Sequence, residues 1–183
     1  MSDPTSRRLT LPVHGLTTFV LVRTHYPENV GASARAMKTM GFSELALVKP
    51  GRLAVPGHEM AFKMAVRAWD VLHAAKLVST VGEAVEGSSL VFATTSHRGV
   101  SGVYTAREAA KKIVERAARG ERTSILFGNE KTGLSEEDRA PASASLRIPM
   151  VADQPSINLA QAVQIVAYEL LIAALEAREQ GTP

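Results

Sequence analysis

The stretch Ser124-Ile-Leu-Phe-Gly-Asn-Glu-Lys-Thr-Gly-Leu-Ser135 runs from an apolar segment directly into a loop that contains two glycines and a carboxylate. Its apolar start is typical of a strand that is buried on both faces of a parallel sheet. Ser135 and Asp138, at the end of the loop, fit an ordinary helix N-cap. A turn and a cap do not account for Gly128 and Glu130, so these two residues indicate a functional loop.

Three other apolar runs predict further buried strands, at residues 19–22, 45–48 and 90–93. Helical patterns separate the runs and cover residues 29–40, 58–72, 106–118 and about 156–177. Glycines stand where two of these helices should end, at Gly41 and Gly120. The alternation predicts an α/β fold with a mostly parallel sheet that is flanked by helices on both sides.

The length of 183 residues fits one domain with one sizeable core. Residues 1–16 carry little hydrophobic periodicity, so we expect a flexible N-terminal arm, then the domain proper at 17–178 and a short tail at 179–183. The absence of cysteine excludes disulfides and thiolate sites. The N-terminal residues lack the apolar run of a signal peptide, and glutamine and glutamate interrupt the apolar segment 159–177. We therefore expect a cytoplasmic protein without a membrane partner.

Several common ligand motifs are missing from the sequence. No GxGxxG follows the first strand and no GxxxxGK[ST] occurs, which argues against a dinucleotide-dependent dehydrogenase and a P-loop nucleotidase. The five histidines form no HExxH pattern, so we expect no metal site. A nucleophile elbow of the form GxSxG is also absent, which argues against a hydrolase triad.

Two further clusters combine polar residues with special backbone positions. In Asn29-Val-Gly-Ala-Ser-Ala-Arg35 the glycine permits close backbone approach, and Arg35 falls near the start of the next helix, where a plain surface role is the simple alternative. In Pro155-Ser-Ile-Asn-Leu-Ala-Gln161 both Ser156 and Asn158 lie at a helix N-terminus. Free N–H groups and the positive end of the helix dipole suit a polar or anionic ligand there. An N-cap alone would use only one of the two residues.

Basic residues outnumber acidic ones between Arg98 and Arg122, although the net charge of the whole chain is only +3. A basic face suggests a polyanion such as RNA. A solvated helix with i,i+4 pairs such as Glu108 and Lys112 explains the same pattern and is favoured on charge alone.

Large apolar side chains recur on two of the predicted helices. We expect core or interface packing for Met60, Phe62, Met64 and Trp69. Side chains at helical spacing near the C-terminus should face the core or a partner subunit, namely Val163, Val166, Leu170 and Ala174.

Taken together, residues 28–42, 127–135 and 156–169 resemble the SPOUT class of methyltransferases, in its SpoU/TrmH-like branch, and within it the TrmJ-like tRNA 2′-O-methyltransferases. The resemblance covers residues 17–177. It implies an S-adenosylmethionine-dependent RNA 2′-O-ribose methyltransferase that acts as a homodimer without a metal, with tRNA the favoured substrate. It also implies that the C-terminal strands and loops form a deep trefoil knot that holds the methyl donor.

The resemblance assigns site residues by position in its motifs. The catalytic candidates are Arg35, Glu130, Ser156 and Asn158. The donor-binding candidates are Thr94, Thr95, Ser96, Gly128, Ile148, Met150, Ser156, Ile157 and Asn158. Arg35 is expected to grip the RNA phosphate and the 2′-oxygen across a dimer interface, because a guanidinium stays protonated and cannot act as a general base. Glu130 is expected to position its loop and a basic partner.

The chain departs from the family pattern in three places. Ile157 replaces a leucine, and Asn129 replaces a residue that is often basic and could contact RNA. The C-terminal extension with which TrmJ-like proteins bind tRNA is not part of this sequence. The alternatives are an rRNA ribose methyltransferase or a base methyltransferase of the same class, and an RNA-binding module without catalytic activity.

Overall fold

The computed structural model describes residues 9–97, 102–151 and 156–181. The strands in this part of the chain are β1 (Thr17–Val22), β2 (Leu45–Val48), β3 (Lys76–Val78), β4 (Ser88–Thr94), β5 (Val103–Thr105), β6 (Arg122–Phe127) and β7 (Ala144–Arg147). The helices are α1 (Pro12–Leu16), α2 (Pro27–Thr39), α3 (Glu59–Ala65), α4 (Trp69–Ala74), α5 (Val81–Ala84), α6 (Ala106–Ala118), α7 (Glu136–Arg139) and α8 (Leu159–Glu179).

The strands pair in parallel in one sheet of order β3-β2-β1-β6-β4-β7-β5. The central strand is β6, whose Ile125 lies between Phe19 of β1 and Phe92 of β4. The predicted α/β architecture with a mostly parallel sheet and flanking helices is confirmed. The trefoil knot that the family resemblance implies stays a prediction.

The predicted strands all appear, each within two residues of its expected bounds, but the short strands β3, β5 and β7 were not predicted. Two of them, β3 and β5, lie at the edges of the sheet. Lys76 and Leu77 of β3 are exposed. These strands escape sequence patterns because they are short and lack a continuous apolar run.

The two faces of the sheet bury separate apolar clusters. The larger cluster includes Val30 and Met37 of α2 together with buried residues of α6 and α8. The smaller cluster, on the other face, joins Val20 and Leu126 to Leu134 from the loop after β6. The segments that follow the adjacent strands β1 and β6 therefore turn to opposite faces. Such a divergence opens a crevice at the carboxyl ends of the strands, where parallel α/β sheets bind ligands.

Helix α8 is long and apolar enough, by length and composition alone, to cross a membrane. Its buried residues are Leu159, Ala160, Val163, Val166, Ala167, Leu170, Ala173 and Ala174. They pack in the core between α2 and α6, as the helical spacing predicts. The apolar character of this face of α8 thus follows from its packing between α2 and α6.

The single helix predicted over residues 58–72 is wrong, because α3 and α4 are separate. Val66 lies between them with a φ of 54°, a left-handed conformation that is strained for a β-branched residue and ends α3. Of the two alternatives for the apolar side chains here, core packing does not hold for Phe62, Met64 and Trp69, which are 37–44% exposed, and interface packing stays a prediction. The rings of Phe62 and Trp69 stack at the surface with centroids 5.0 Å apart.

The predicted flexible arm is wrong for its second half. Residues 12–16 form α1, and Leu11 and Val13 are buried in the larger apolar cluster. Leu9, Leu11 and Val13 alternate with other residues, so their spacing did not show a helical periodicity. Residues 1–8 lie outside the described residues. At the other end α8 continues to Glu179, so the predicted tail begins later than expected, and residues 182–183 lie outside the described part.

Candidate active site

A cavity of about 310 Å³ opens where β4, β6 and β7 end. The end of each strand contributes to its wall, because the carboxyl ends of parallel strands meet at one edge of a sheet. Buried apolar side chains of Phe127, Leu146 and Leu159 form part of the lining. All but one of the predicted donor-binding residues line this cavity, namely Thr94, Thr95, Ser96, Gly128, Ile148, Met150, Ser156 and Ile157. The structure therefore brings together three loops that are distant in sequence.

The loop after β6 folds tightly back on itself. A Cβ atom on Gly128 would overlap the backbone of Gly133 and Leu134, so only glycine fits this position. Asn129 holds the turn, because its Oδ1 accepts hydrogen bonds from the backbone N–H groups of Lys131 and Thr132, both at 2.9 Å. Asn129 thus organises the cavity wall, a role that its departure from the basic residue of the family pattern did not suggest.

Glu130 binds the segment that follows β1. Its Oε1 accepts hydrogen bonds from Thr24 Oγ1 at 2.9 Å and from Asn29 Nδ2 at 2.6 Å, and its Oε2 accepts one from the backbone N–H of His25 at 3.0 Å. Burial raises the pKa of the Glu130 carboxyl, but the hydrogen bonds together lower it by more, and the net pKa lies below its ordinary value. Glu130 is therefore an ionised carboxylate that holds a loop. The basic partner expected for it is not among these donors.

Asn29 connects this carboxylate to the third motif. Its Oδ1 accepts a hydrogen bond from Asn158 Nδ2 at 3.1 Å, while Asn158 Oδ1 caps α8 by accepting from the N–H groups of Ala160 and Gln161. We call Glu130, Asn29 and Asn158 the motif bridge. The N-cap interpretation of Asn158 is confirmed, and Ser156 is left as an exposed residue that lines the cavity.

Asn29 was quoted with its motif but was not predicted as a site residue. It is 8% exposed, although it lies in the first turn of α2. An asparagine near the start of a helix usually serves as a cap. For this reason the link that Asn29 forms between two other segments was not predicted. A signal was present in the sequence, because Pro27 favours the first helical position and so places Asn29 inside the first turn of α2.

Arg35 lies on α2 outside the cavity lining of its own chain. Its side chain is exposed, and its guanidinium forms no hydrogen bond or ion pair with any residue that the structure describes. Its carbonyl oxygen accepts a hydrogen bond from Thr39 Oγ1 at 2.8 Å. Gly31, one turn earlier, allows the close approach of α3, because a Cβ there would overlap the carbonyl of Ala61. The glycine of this motif thus serves helix packing.

Several basic residues of α6 contact acidic or aromatic side chains. Arg107 forms a two-pronged ion pair with Glu169 of α8, and Arg116 pairs with Glu121 at 2.6 Å. Lys112 Nζ lies 5.2 Å from the centre of the Tyr104 ring. These contacts favour the solvated-helix interpretation for part of this face. Arg98 lies outside the described residues.

No group of three or more potential metal ligands from histidine, cysteine, aspartate and glutamate occurs in the described ranges. The expectation of metal-free chemistry stays a prediction.

Comparison with protein families matches residues 17–168 to the SpoU rRNA Methylase family. A TrmJ tRNA (cytidine/uridine/adenosine-2′-O-)-methyltransferase of Pseudomonas aeruginosa is 38% identical, and the match covers 90% of this chain and 63% of that protein. The TrmJ tRNA (cytidine/uridine-2′-O-)-methyltransferase of Pectobacterium atrosepticum is 37% identical over 90% of this chain and 67% of its own.

Among solved structures, TrmJ of Z. mobilis superposes with a TM-score of 0.77 at 36% identity, covering 86% of this chain and 69% of that one. The chain thus spans about two thirds of the length of these relatives, and 63% of the Pseudomonas protein.

Proposed function

Because the chain belongs to the SpoU rRNA Methylase family, we propose that it is an S-adenosylmethionine-dependent methyltransferase that modifies a ribose 2′-hydroxyl of RNA. tRNA is the favoured substrate, since the TrmJ relatives are named for 2′-O-methylation of tRNA. We place the enzyme in the cytoplasm as a homodimer. The observation that carries the proposal is the motif bridge, which joins all three family motifs through Glu130 on the cavity wall.

The cavity fits the methyl donor. Its volume lies at the lower end of the range for small-molecule pockets, and it combines apolar side chains with exposed polar loop groups. The tight turn at Gly128 places backbone N–H and C=O groups along the wall, where they can bind an adenine base. A Gly-rich phosphate loop is not needed, because the donor carries no phosphate.

When bound, S-adenosylmethionine supplies a methyl group on a sulfonium, and the carbon–oxygen bond forms as the carbon–sulfur bond breaks with its electron pair on sulfur. The protein must align the ribose oxygen and exclude competing water. Arg35 performs the alignment by a forked hydrogen-bond grip on the phosphate and the 2′-oxygen. It does not remove the hydroxyl proton, which passes to water, because the guanidinium stays protonated up to a pH of about 12.

Glu130 and Asn158 act as positioning residues within this scheme. Their side chains are engaged with Asn29 and, for Glu130, with Thr24 and His25, so they fix the loops that surround the donor. Ser156 lines the cavity, and its hydroxyl orients the donor or the ribose.

The dimer is supported by an apolar stripe on the outer side of α8. Ile165, Tyr168 and Ile172 recur at spacings of three and four residues, and Tyr168 is 49% exposed. None of the three belongs to the buried cluster of its own chain or packs against it. Helix α8, which carries the stripe, packs against α2, the helix that carries Arg35. A second copy that covered the stripe would bring Arg35 close to the partner's donor cavity.

The direct test is methylation of unmodified tRNA by the purified protein with S-adenosylmethionine. We expect a 2′-O-methylated nucleoside, identified by mass spectrometry of the digested RNA, and no methylated base. Ribosomal RNA fragments serve as the parallel substrate. A methylated base would contradict the reaction type, and methylation of rRNA alone would contradict the substrate. Donor binding without methylation of any RNA would favour the non-catalytic alternative.

A further inference from the structure

Arg139, the last residue of α7, lines the cavity with a half-buried side chain. Its guanidinium forms no hydrogen bond or ion pair with any residue in the described ranges; only its backbone groups are bonded, in the helix and its following turn. A guanidinium that is partly withdrawn from water without an anionic partner loses solvation and gains nothing in return. Such an arrangement indicates an anion that binds from outside the chain.

The acidic neighbours of Arg139 in α7 do not pair with it, and two of them contact Arg23 instead. Asp138 accepts a hydrogen bond from Arg23 at 3.1 Å and from Ser135 Oγ at 2.7 Å. Glu137 lies 3.8 Å from the same Arg23. Glu136 is exposed. The charge of Arg139 is therefore not neutralised within α7, and its side chain is free to serve the cavity.

The other ionisable side chains of the cavity wall are less suited to bind an anion. Glu130 is itself an anion and is held by donors from the β1–α2 segment. Lys131 and His97 are exposed, so water competes for any ligand that they contact. Arg139 is the half-buried cation of the lining, where a charge-assisted pair with a ligand gains most.

We propose that Arg139 binds the carboxylate of the amino-acid part of the methyl donor. The inference rests on the proposed function, because S-adenosylmethionine is what brings a carboxylate into this cavity. The carboxylate needs a partner when it leaves bulk water, and the planar guanidinium offers two parallel N–H donors that match its geometry. Arg139 would thus select donors that carry an intact amino-acid group.

The test compares two ligands that differ in this group, S-adenosylhomocysteine and 5′-methylthioadenosine, by calorimetry. The first contains the carboxylate, whereas the second keeps the adenosine and the thioether but lacks the amino acid. We expect Arg139→Gln to weaken the binding of S-adenosylhomocysteine about 10- to 100-fold, which is the range for removal of a charge-assisted hydrogen bond. The affinity for 5′-methylthioadenosine should not change. Arg67→Gln removes an exposed arginine outside the cavity lining and is the matched control, so it should change the affinity for neither ligand.

Other outcomes overturn the inference in distinguishable ways. An equal loss of affinity for both ligands would mean that Arg139 only supports the structure of the cavity wall. Unchanged affinity for both, with weaker RNA binding, would assign Arg139 to the RNA backbone instead. If the wild-type protein bound neither ligand, the proposed function would fail first. Arg139→Lys gives a second check, because an ammonium keeps the charge but not the fork and should recover only part of the affinity.

Discussion

The surroundings of Glu130 and of Arg35 differ although both residues belong to the family's motif segments. Glu130 accepts three hydrogen bonds from the chain itself, and Asn29 relays the contact to Asn158. Arg35, on the same helix as Asn29, projects from the surface and has no partner for its guanidinium among the described residues.

The difference separates two kinds of site residue. A carboxylate whose acceptor positions are filled by its own chain preorganises the site, and its removal should damage the fold around the cavity. A cation without an internal partner contributes little to folding and is available to RNA or to a second subunit. The motif bridge and Arg35 should therefore respond to mutation in opposite ways.

The largest expected effect is on catalysis at Arg35. Arg35→Ala should lower the single-turnover methylation rate about 10²- to 10³-fold, by analogy with the loss of one transition-state hydrogen-bond donor, about 2.7–4 kcal/mol. Arg35→Lys should also be slow, because an ammonium cannot reproduce the fork. Donor affinity and the unfolding midpoint should stay near wild type. Arg67→Ala, which removes another exposed arginine, is the control. A large loss of stability in Arg35→Ala would show that Arg35, like Glu130, contributes to folding, and would contradict the proposed difference between them.

Mixing subunits shows on which chain Arg35 acts. Arg35→Ala and Asn158→Ala, each inactive alone, are combined under conditions of proven subunit exchange. In a mixed dimer one site would pair an intact cavity with an intact arginine from the other chain, so part of the activity should return. If activity stays absent despite exchange, Arg35 serves its own subunit and the cross-subunit arrangement is wrong.

The second effect is on stability at Glu130. Glu130→Gln should lower the free energy of unfolding by about 1.5–3 kcal/mol, the range for hydrogen bonds to a charged group, because an amide NH₂ would face a donor on one side. The measurement is urea denaturation at neutral pH. Glu136→Gln removes an exposed carboxylate two positions before Asp138 and should change stability little. A Glu130→Gln protein as stable as the wild type would show that the motif bridge does not preorganise the loops.

The same variant has a defined pH dependence. The pKa of Glu130 is lower in the folded protein than its ordinary value, so this carboxyl binds fewer protons in the folded state than in the unfolded state. Its contribution to stability is complete above the ordinary pKa of a glutamate and is lost as the pH falls through the lower folded pKa. The stability difference between wild type and Glu130→Gln should therefore shrink on acidification. Asp138, whose pKa is also lowered, is present in both proteins, so its contribution to the pH dependence cancels in the difference.

The smallest effect is expected for the cations of α6. They are intermediate between Glu130, which is bonded within its own chain, and Arg35, which has no partner among the described residues. Converting Lys111, Lys112 and Arg116 to glutamine should weaken RNA binding and reduce its salt dependence, by about one unit of slope for each RNA phosphate that is no longer neutralised. Donor affinity should not change. Because Arg116 already pairs with Glu121, it should contribute least of the three residues to RNA binding. An unaltered salt slope would establish the face as a solvated helix.

The sequence was sufficient where the signal is local. The apolar runs located the strands of the sheet centre, and the motif positions located the cavity wall. It was insufficient where a role depends on distant partners. Nothing near Asn29 reveals that Glu130 and Asn158 approach it from 101 and 129 positions away. The end of α3 at Val66 could not be predicted either. Local propensities disfavour a positive φ at valine, so this strained conformation is not expected from the sequence.

The position of β6 in the sheet also constrains how the protein can fold as it is synthesised. β1 and β4 are made early, yet they are not neighbours; each pairs with β6, which is made later and lies between them. Until residues 122–127 leave the ribosome, β1 can pair only with β2, and both sheet neighbours of β4, namely β6 and β7, are missing. Folding therefore awaits a long-range insertion, which is slow and leaves unpaired edges exposed, and a chain stopped before β6 should be a target for chaperones and proteases.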